Sequence, residues 1–279
     1  MMTADTLRAE HLFAGYDGKE VLQDVNVTIP KGKISVIIGA NACGKSTLLK
    51  TLSRLISPMK GKVYLGDQEV AKMKSKSVAK MLGLLPQSPV LPEGIKVADL
   101  VLRGRYPHGG FFRSHCSRDY QVVEEALQLM GVLELSDRNV EELSGGQRQR
   151  VWIAMALAQE TDILLLDEPT TFLDVSFQIE ILDRLMELNK KKGTTIVMVL
   201  HDLNLSARYA DHIFAMKSGR LIAEGTPEDV ITCSLVEDVY NLTCSIMKDP
   251  VSGSPMMIPM GKYHCEESCQ SCRCASNWS

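Results

Sequence analysis

Residues 33–56 read KISVIIGANACGKSTLLKTLSRLI. The first seven are β-branched and apolar, the run breaks at Gly39, and an apolar pattern of helical spacing resumes after Gly44. That order predicts a buried strand, a tight turn and a helix. Gly39, Gly44, Lys45 and Ser46 satisfy the spacing G-x-x-x-x-G-K-[ST]. Glycines let successive backbone N–H groups turn inward on phosphates, and the helix start adds the positive end of its dipole. Lys45 supplies a mobile positive charge, and the Ser46 hydroxyl is a hard oxygen ligand suited to Mg²⁺.

Two more buried strands stand out downstream, DILLLDEP, ended by Pro169, and TTIVMVLHD. Each follows a helical stretch, GGQRQRVWIAMALAQE before the first and VSFQIEILDRLMELNKKKG before the second, with Gly193 as C-cap. Strands alternating with helices imply an α/β fold with a mainly parallel sheet covered on both faces. Ligands of such sheets gather at the carboxyl ends of the strands. The first thirty residues and residues 60–70 read as short strands of an antiparallel subdomain. Residues 71–140 are more helical, and Val122, Val123, Ala126, Leu127 and Met130 share one face. The expected division is one nucleotide-binding unit over 1–262, with a helical subdomain at about 88–155, and a cysteine-rich tail over 263–279. The segment DPVSGSPMMIPMGK, rich in Pro and Gly, reads as a transition into that tail.

Composition narrows the partners. Of 279 residues 45% are apolar and 23% charged, and the net charge of −3 does not suggest a nucleic-acid binder. The longest apolar runs fall far short of the roughly 18 residues that span a bilayer. The N-terminus lacks a basic stretch followed by an apolar one, so no signal peptide is expected and a cytoplasmic protein is the default reading.

The strand ILLLD ends in two acids. Asp167 suits Mg²⁺ held through water, and Glu168 suits a general base that orients an attacking water. Ser144, Gly145 and Gly146 open another helix and so make a second anion site. One nucleotide per chain has little use for two such sites unless each serves a different nucleotide.

That arrangement resembles the ATP-binding-cassette (ABC) ATPases, and the likeness covers about residues 5–260. Tyr16 matches the adenine-stacking aromatic, GANACGKST the Walker A loop, Gln87 the Q-loop and LSGGQ (143–147) the signature. ILLLDEPT matches Walker B, Asp174 ends the D-loop, and His201 matches the switch histidine. The resemblance implies a P-loop NTPase in which two chains pair head to tail. Each ATP would lie between Gly39, Asn41, Cys43, Gly44, Lys45, Ser46 and Thr47 of one chain and Ser144, Gly145, Gly146 and Gln147 of the other. By the same resemblance, Gln87 would sense Mg²⁺ and the attacking water, and His201 would bridge the γ-phosphate to Glu168 and Asp174.

Two residues depart from the usual loop. Ala42 stands where glycine is common, at a cost of about 1 kcal/mol if the backbone there is left-handed. Cys43 lies near a helix N-terminus, which would favour thiolate, so alkylation is expected to block ATP hydrolysis and ATP to protect.

The segments LRGRYPH, DEPTTFLD and VLHDLNLSARYADH look like the iron-siderophore, haem and cobalamin branch of bacterial importers, with the siderophore group nearest. This implies separate membrane permease subunits, a substrate-binding lipoprotein and a peripheral place on the cytoplasmic face of the membrane. The alternatives are a haem or cobalamin importer ATPase, or a soluble ABC ATPase of iron–sulfur cluster assembly. Cys265, Cys269, Cys272 and Cys274 keep the second in view. Their C-x₃-C-x₂-C-x-C spacing suggests an iron–sulfur cluster or zinc, in a compartment where disulfides are not expected.

Overall fold

The computed structural model describes residues 6–87, 89, 91–109, 116–171 and 173–261. The described residues begin with strands β1 (Leu7–Tyr16) and β2 (Lys19–Thr28), then β3 (Ile34–Gly39), the phosphate loop and helix α1 (Lys45–Leu52). β4 (Lys60–Leu65) and β5 (Gln68–Glu69) follow, then α2 (Ser75–Met81) and β6 (Leu82–Leu85). The helical region comprises α3 (Val97–Leu102), α4 (Ser117–Leu129) and α5 (Gly145–Leu157). β7 (Ile163–Asp167), α6 (Val175–Lys192), β8 (Thr195–Val199), α7 (Leu203–Tyr209), β9 (His212–Lys217) and β10 (Arg220–Gly225) complete the central layer. α8 (Pro227–Val230), α9 (Cys233–Tyr240) and a hairpin of β11 (Cys244–Lys248) and β12 (Pro255–Pro259) end the described chain.

The central sheet runs β10-β9-β3-β8-β7-β6, parallel except for the β10–β9 edge. β3, β7 and β8 are buried on both faces because alternate residues enter different cores. Val36, Ile38, Leu164, Leu166, Ile196 and Met198 face the core shared with α5 and α6. Ile37, Leu165, Val197 and Val199 face the core under α1 and the antiparallel sheet. That second sheet, ordered β2-β1-β4-β5, is antiparallel throughout, as the sequence suggests. All five residues assigned to one face of α4 are buried, and Gly193 caps α6 with a φ of 67°.

Three expectations need correction. α1 stops at Leu52 rather than continuing to Ile56, because Arg54 turns left-handed and the N–H groups of Leu55 and Ile56 fold back onto the Lys50 carbonyl. β6 lies inside the region read as helical; its four residues are too few for periodicity to separate strand from helix. Residues 249–259, read only as a transition into the tail, form a turn and a strand. Pro, Gly and Ser occupy the turn and Met256, Met257 and Ile258 the strand, so β11 and β12 pair in register from Cys244↔Pro259 to Lys248↔Pro255.

Candidate functional site: a nucleotide cleft at four strand ends

Neighbouring strands β3, β8, β7 and β6 all end on the same side, and each carries one part of the site at its carboxyl end. β3 leads into the phosphate loop, β7 ends at Asp167 with Glu168 next, β8 runs on through Leu200 to His201, and β6 through Pro86 to Gln87. They surround a cleft of about 830 Å³ whose lining includes Tyr16, Asn41, Lys45, Ser46, Gln87 and His201. Ala42, Gly44, Thr47 and Glu168 line it too.

The loop geometry shows why its glycines are there. Gly39 and Gly44 have φ of 149° and 107°; a Cβ at Gly39 would lie 2.4 Å from the Met216 carbonyl oxygen. Lys45 Nζ donates to the Gly39 and Ala40 carbonyls at 2.8 and 3.0 Å. Ser46 Oγ donates to Asp167 Oδ1 at 2.9 Å. Asp167 Oδ2 is buried and meets no hydrogen-bond donor among the described residues. Burial pushes the Asp167 carboxyl above the usual range and Glu168 adds to this, against the Ser46 hydrogen bond. An orphaned carboxylate oxygen beside a serine hydroxyl fits a hard divalent cation, which would relieve that cost.

Three donors converge on the Glu168 carboxylate. Gln87 Nε2 reaches Oε2 at 2.7 Å, Thr171 Oγ1 reaches Oε2 at 3.0 Å, and His201 Nε2 lies 2.7 Å from Oε1. Glu168 has a φ of 54°, unusual for a side chain of this size. Pro169 disfavours right-handed helical backbone in the residue before it, and the Thr171 N–H closes the turn on the Glu168 carbonyl. Thr171 is the contact that sequence reasoning missed. Its signal was present in DEPTT, where a hydroxyl stands three residues after the acid.

The signature residues lie outside this cleft. Ser144 caps α5, its Oγ accepting from Gln147 N–H while Gln147 Oε1 accepts from Ser144 N–H. Gly145 is exposed with open space around it, and Gly146 packs near Leu173 and Phe177. Asp174 is the exposed N-cap of α6. One chain thus carries a loop half and a signature half that do not meet within it.

Cys43 corrects the thiolate expectation. Its side chain is 5% exposed in the core under α1, and burial pushes the thiol up despite Lys45 nearby. Cys265, Cys269, Cys272 and Cys274 lie outside the described residues.

Residues 22–171 match the ABC transporter family. The chain belongs to that family. This ABC ATPase is 52% identical over 264 residues to the "Probable siderophore transport system ATP-binding protein YusV" of Bacillus subtilis (strain 168), covering 95% of this chain and 96% of that one. It is 49% identical over 256 residues to the ferric enterobactin transport ATP-binding protein FepC of Escherichia coli (strain K12), covering 92% and 94%. A solved dimer of MJ0796, a bacterial ABC transporter cassette, superposes with a TM-score of 0.71 at 27% identity, covering 79% of this chain and 98% of that one. As a member of this family the ABC ATPase uses ATP with Mg²⁺, and importer cassettes of the family work as dimers with membrane permease subunits. Among the described residues no helix is long and apolar enough to cross a membrane.

Proposed function

We propose that this chain is the ATP-hydrolysing subunit of an importer for iron–siderophore complexes. It acts as a homodimer on the cytoplasmic face of the membrane, beneath permease subunits supplied by a substrate-binding lipoprotein. The observation that carries the chemistry is the convergence of Gln87, Thr171 and His201 on Glu168, beside the Ser46–Asp167 pair. The cargo rests on relatives named for siderophore and ferric enterobactin transport that match nearly the full length.

In this reading Tyr16 stacks on adenine. Gly39 to Thr47 hold the phosphates, with Asn41, Cys43 and Gly44 contributing backbone N–H groups and Lys45 its charge. Ser46, Gln87 and Asp167 would hold Mg²⁺, which when bound would supply charge neutralisation at the phosphates. Glu168 accepts the proton of the attacking water, and His201 orients the γ-phosphate. Ser144, Gly145, Gly146 and Gln147 of the second copy close over the same nucleotide, and Asp174 of the second copy meets His201. We also propose that Cys265, Cys269, Cys272 and Cys274 hold an iron–sulfur cluster or zinc; iron, sulfide and zinc analysis of anaerobically purified protein tests it.

The main test is Glu168→Gln. With ATP and Mg²⁺ the variant should hydrolyse at least about 100-fold more slowly and elute as a nucleotide-loaded dimer. A variant that stays monomeric beside its permease would overturn the reading. Loss of ferric-siderophore uptake in a deletion strain, restored by the wild-type gene only, tests the cargo.

A further inference from the structure

Helix α7 begins two residues after His201 and is only seven residues long, too short to hold its position without outside support. Its own N-cap, Asp202 Oδ1 accepting from Leu205 N–H at 2.8 Å, fixes the first turn but not where the helix lies. Tyr209 Oη ties its far end to Asp183 on α6 at 2.8 Å. Leu203, Ala207 and Tyr209 enter the core, and further anchorage comes from the C-terminal hairpin.

Asn204 meets the β12 backbone in both directions. Its Nδ2 donates to the Met257 carbonyl at 3.1 Å, and its Oδ1 accepts from the Met257 N–H at 2.7 Å. One turn later Arg208 places Nε and Nη2 on Asp249 Oδ2 at 3.0 and 2.6 Å. Asp249 is buried and held rigidly at the turn: Ser252 Oγ donates to it at 2.6 Å and the Val251 N–H at 2.9 Å. These donors, with Arg208, hold its carboxyl well below the usual range. Both side chains therefore grip a folded hairpin rather than a loop. The hairpin, like His201 and α7, lies outside the stretch matched to the family.

We propose that Asn204 and Arg208 are positioning residues, which bolt the β11–β12 hairpin to α7 and so hold His201 on Glu168. The inference rests on the reading of His201 given above. His201 is fixed from behind by buried Leu200 at the end of β8 and from ahead by α7; only the second support depends on the hairpin. α7 also packs on β3, but the phosphate loop keeps supports of its own, Lys45 on the Gly39 and Ala40 carbonyls and Ser46 on Asp167. Nucleotide binding and turnover are thereby separated.

The test uses the full chain with ATP and Mg²⁺, read by phosphate release, in wild type, Asn204→Ala, His201→Ala and the double variant. Asn204→Ala should lower kcat about tenfold with KM for ATP changed by no more than about twofold. In the His201→Ala background the same change should cost less than about twofold, because the two act as one unit. Arg208→Lys, which keeps the charge but loses the two-point grip, should give a smaller loss in the same sense. Unchanged kcat in Asn204→Ala overturns the proposal. So does an equal fold-loss with and without His201, which would mark general destabilisation and accompany a lowered Tm. If His201→Ala alone keeps wild-type kcat, the assigned role of His201 falls and takes this inference with it.

Discussion

Ala42 sits in the left-handed region at φ 61°, in a loop where Gly39 and Gly44 also have positive φ. The sequence raised this possibility, and the backbone meets the condition. A β-carbon in that region carries a strain that glycine would not. Ala42→Gly should raise stability by about 1 kcal/mol, read by urea unfolding, with kcat unchanged. Cys43, one residue on, shows the opposite limit of reading a residue from its neighbours. Proximity to a helix start argues for thiolate, but burial outweighs it, and the core that buries Cys43 also holds Phe214 and Met216 from distant parts of the chain. Glu168 shows a third case. Pro169 hints at its unusual backbone, yet nothing local shows that Gln87 and His201 reach it.

Among the elements, α5 was the most legible, since Ser144 and Gln147 are spaced as a capping box ahead of an apolar run. The LRGRYPH segment was less so. Nothing local in it shows that Arg105 is buried and donates to Asp119 Oδ1 at 2.9 Å, the Ala158 carbonyl at 2.7 Å and Glu160 at 2.9 Å. It locks the start of α4 to the end of α5. The Cys116 N–H, then Arg105, hold the Asp119 carboxyl down at about 2, against an ordinary value of 3.8. A carboxyl lowered by folding stabilises the protein above its unfolded value and stops doing so as pH falls through the folded one. Asp119→Asn should therefore cost about 2 kcal/mol at pH 7. The gap to wild type, followed by urea unfolding, should narrow as pH falls from about 5 towards 3.

Across the whole molecule, the loop half and the signature half of the site stand apart, as suits a cassette that works as a dimer. Gly145 tests this because a side chain there meets nothing within 4 Å in its own chain. Gly145→Asp suits a helix N-terminus and should fold normally, but it places a negative charge where the partner's phosphates would lie. ATP affinity of the isolated chain should stay within about twofold while kcat falls by about 100-fold or more. Equal loss of binding and turnover would place the signature in the chain's own cleft instead.

What the amino-acid order determined by itself was everything whose period or spacing is local: the strand–loop–helix, the strand ILLLD before its two acids, the capped helices and the phosphate chemistry they imply. Only the tertiary structure decided which strands are neighbours, and so which side chains share a cleft. Gln87 and Glu168 are 81 residues apart in sequence and 2.7 Å apart in space, because β6 and β7 pair in parallel register. The same holds for the short strand β6, the C-terminal hairpin and the burial of Cys43. Each is selected by contacts with distant residues, and such contacts leave no repeating mark in the local sequence.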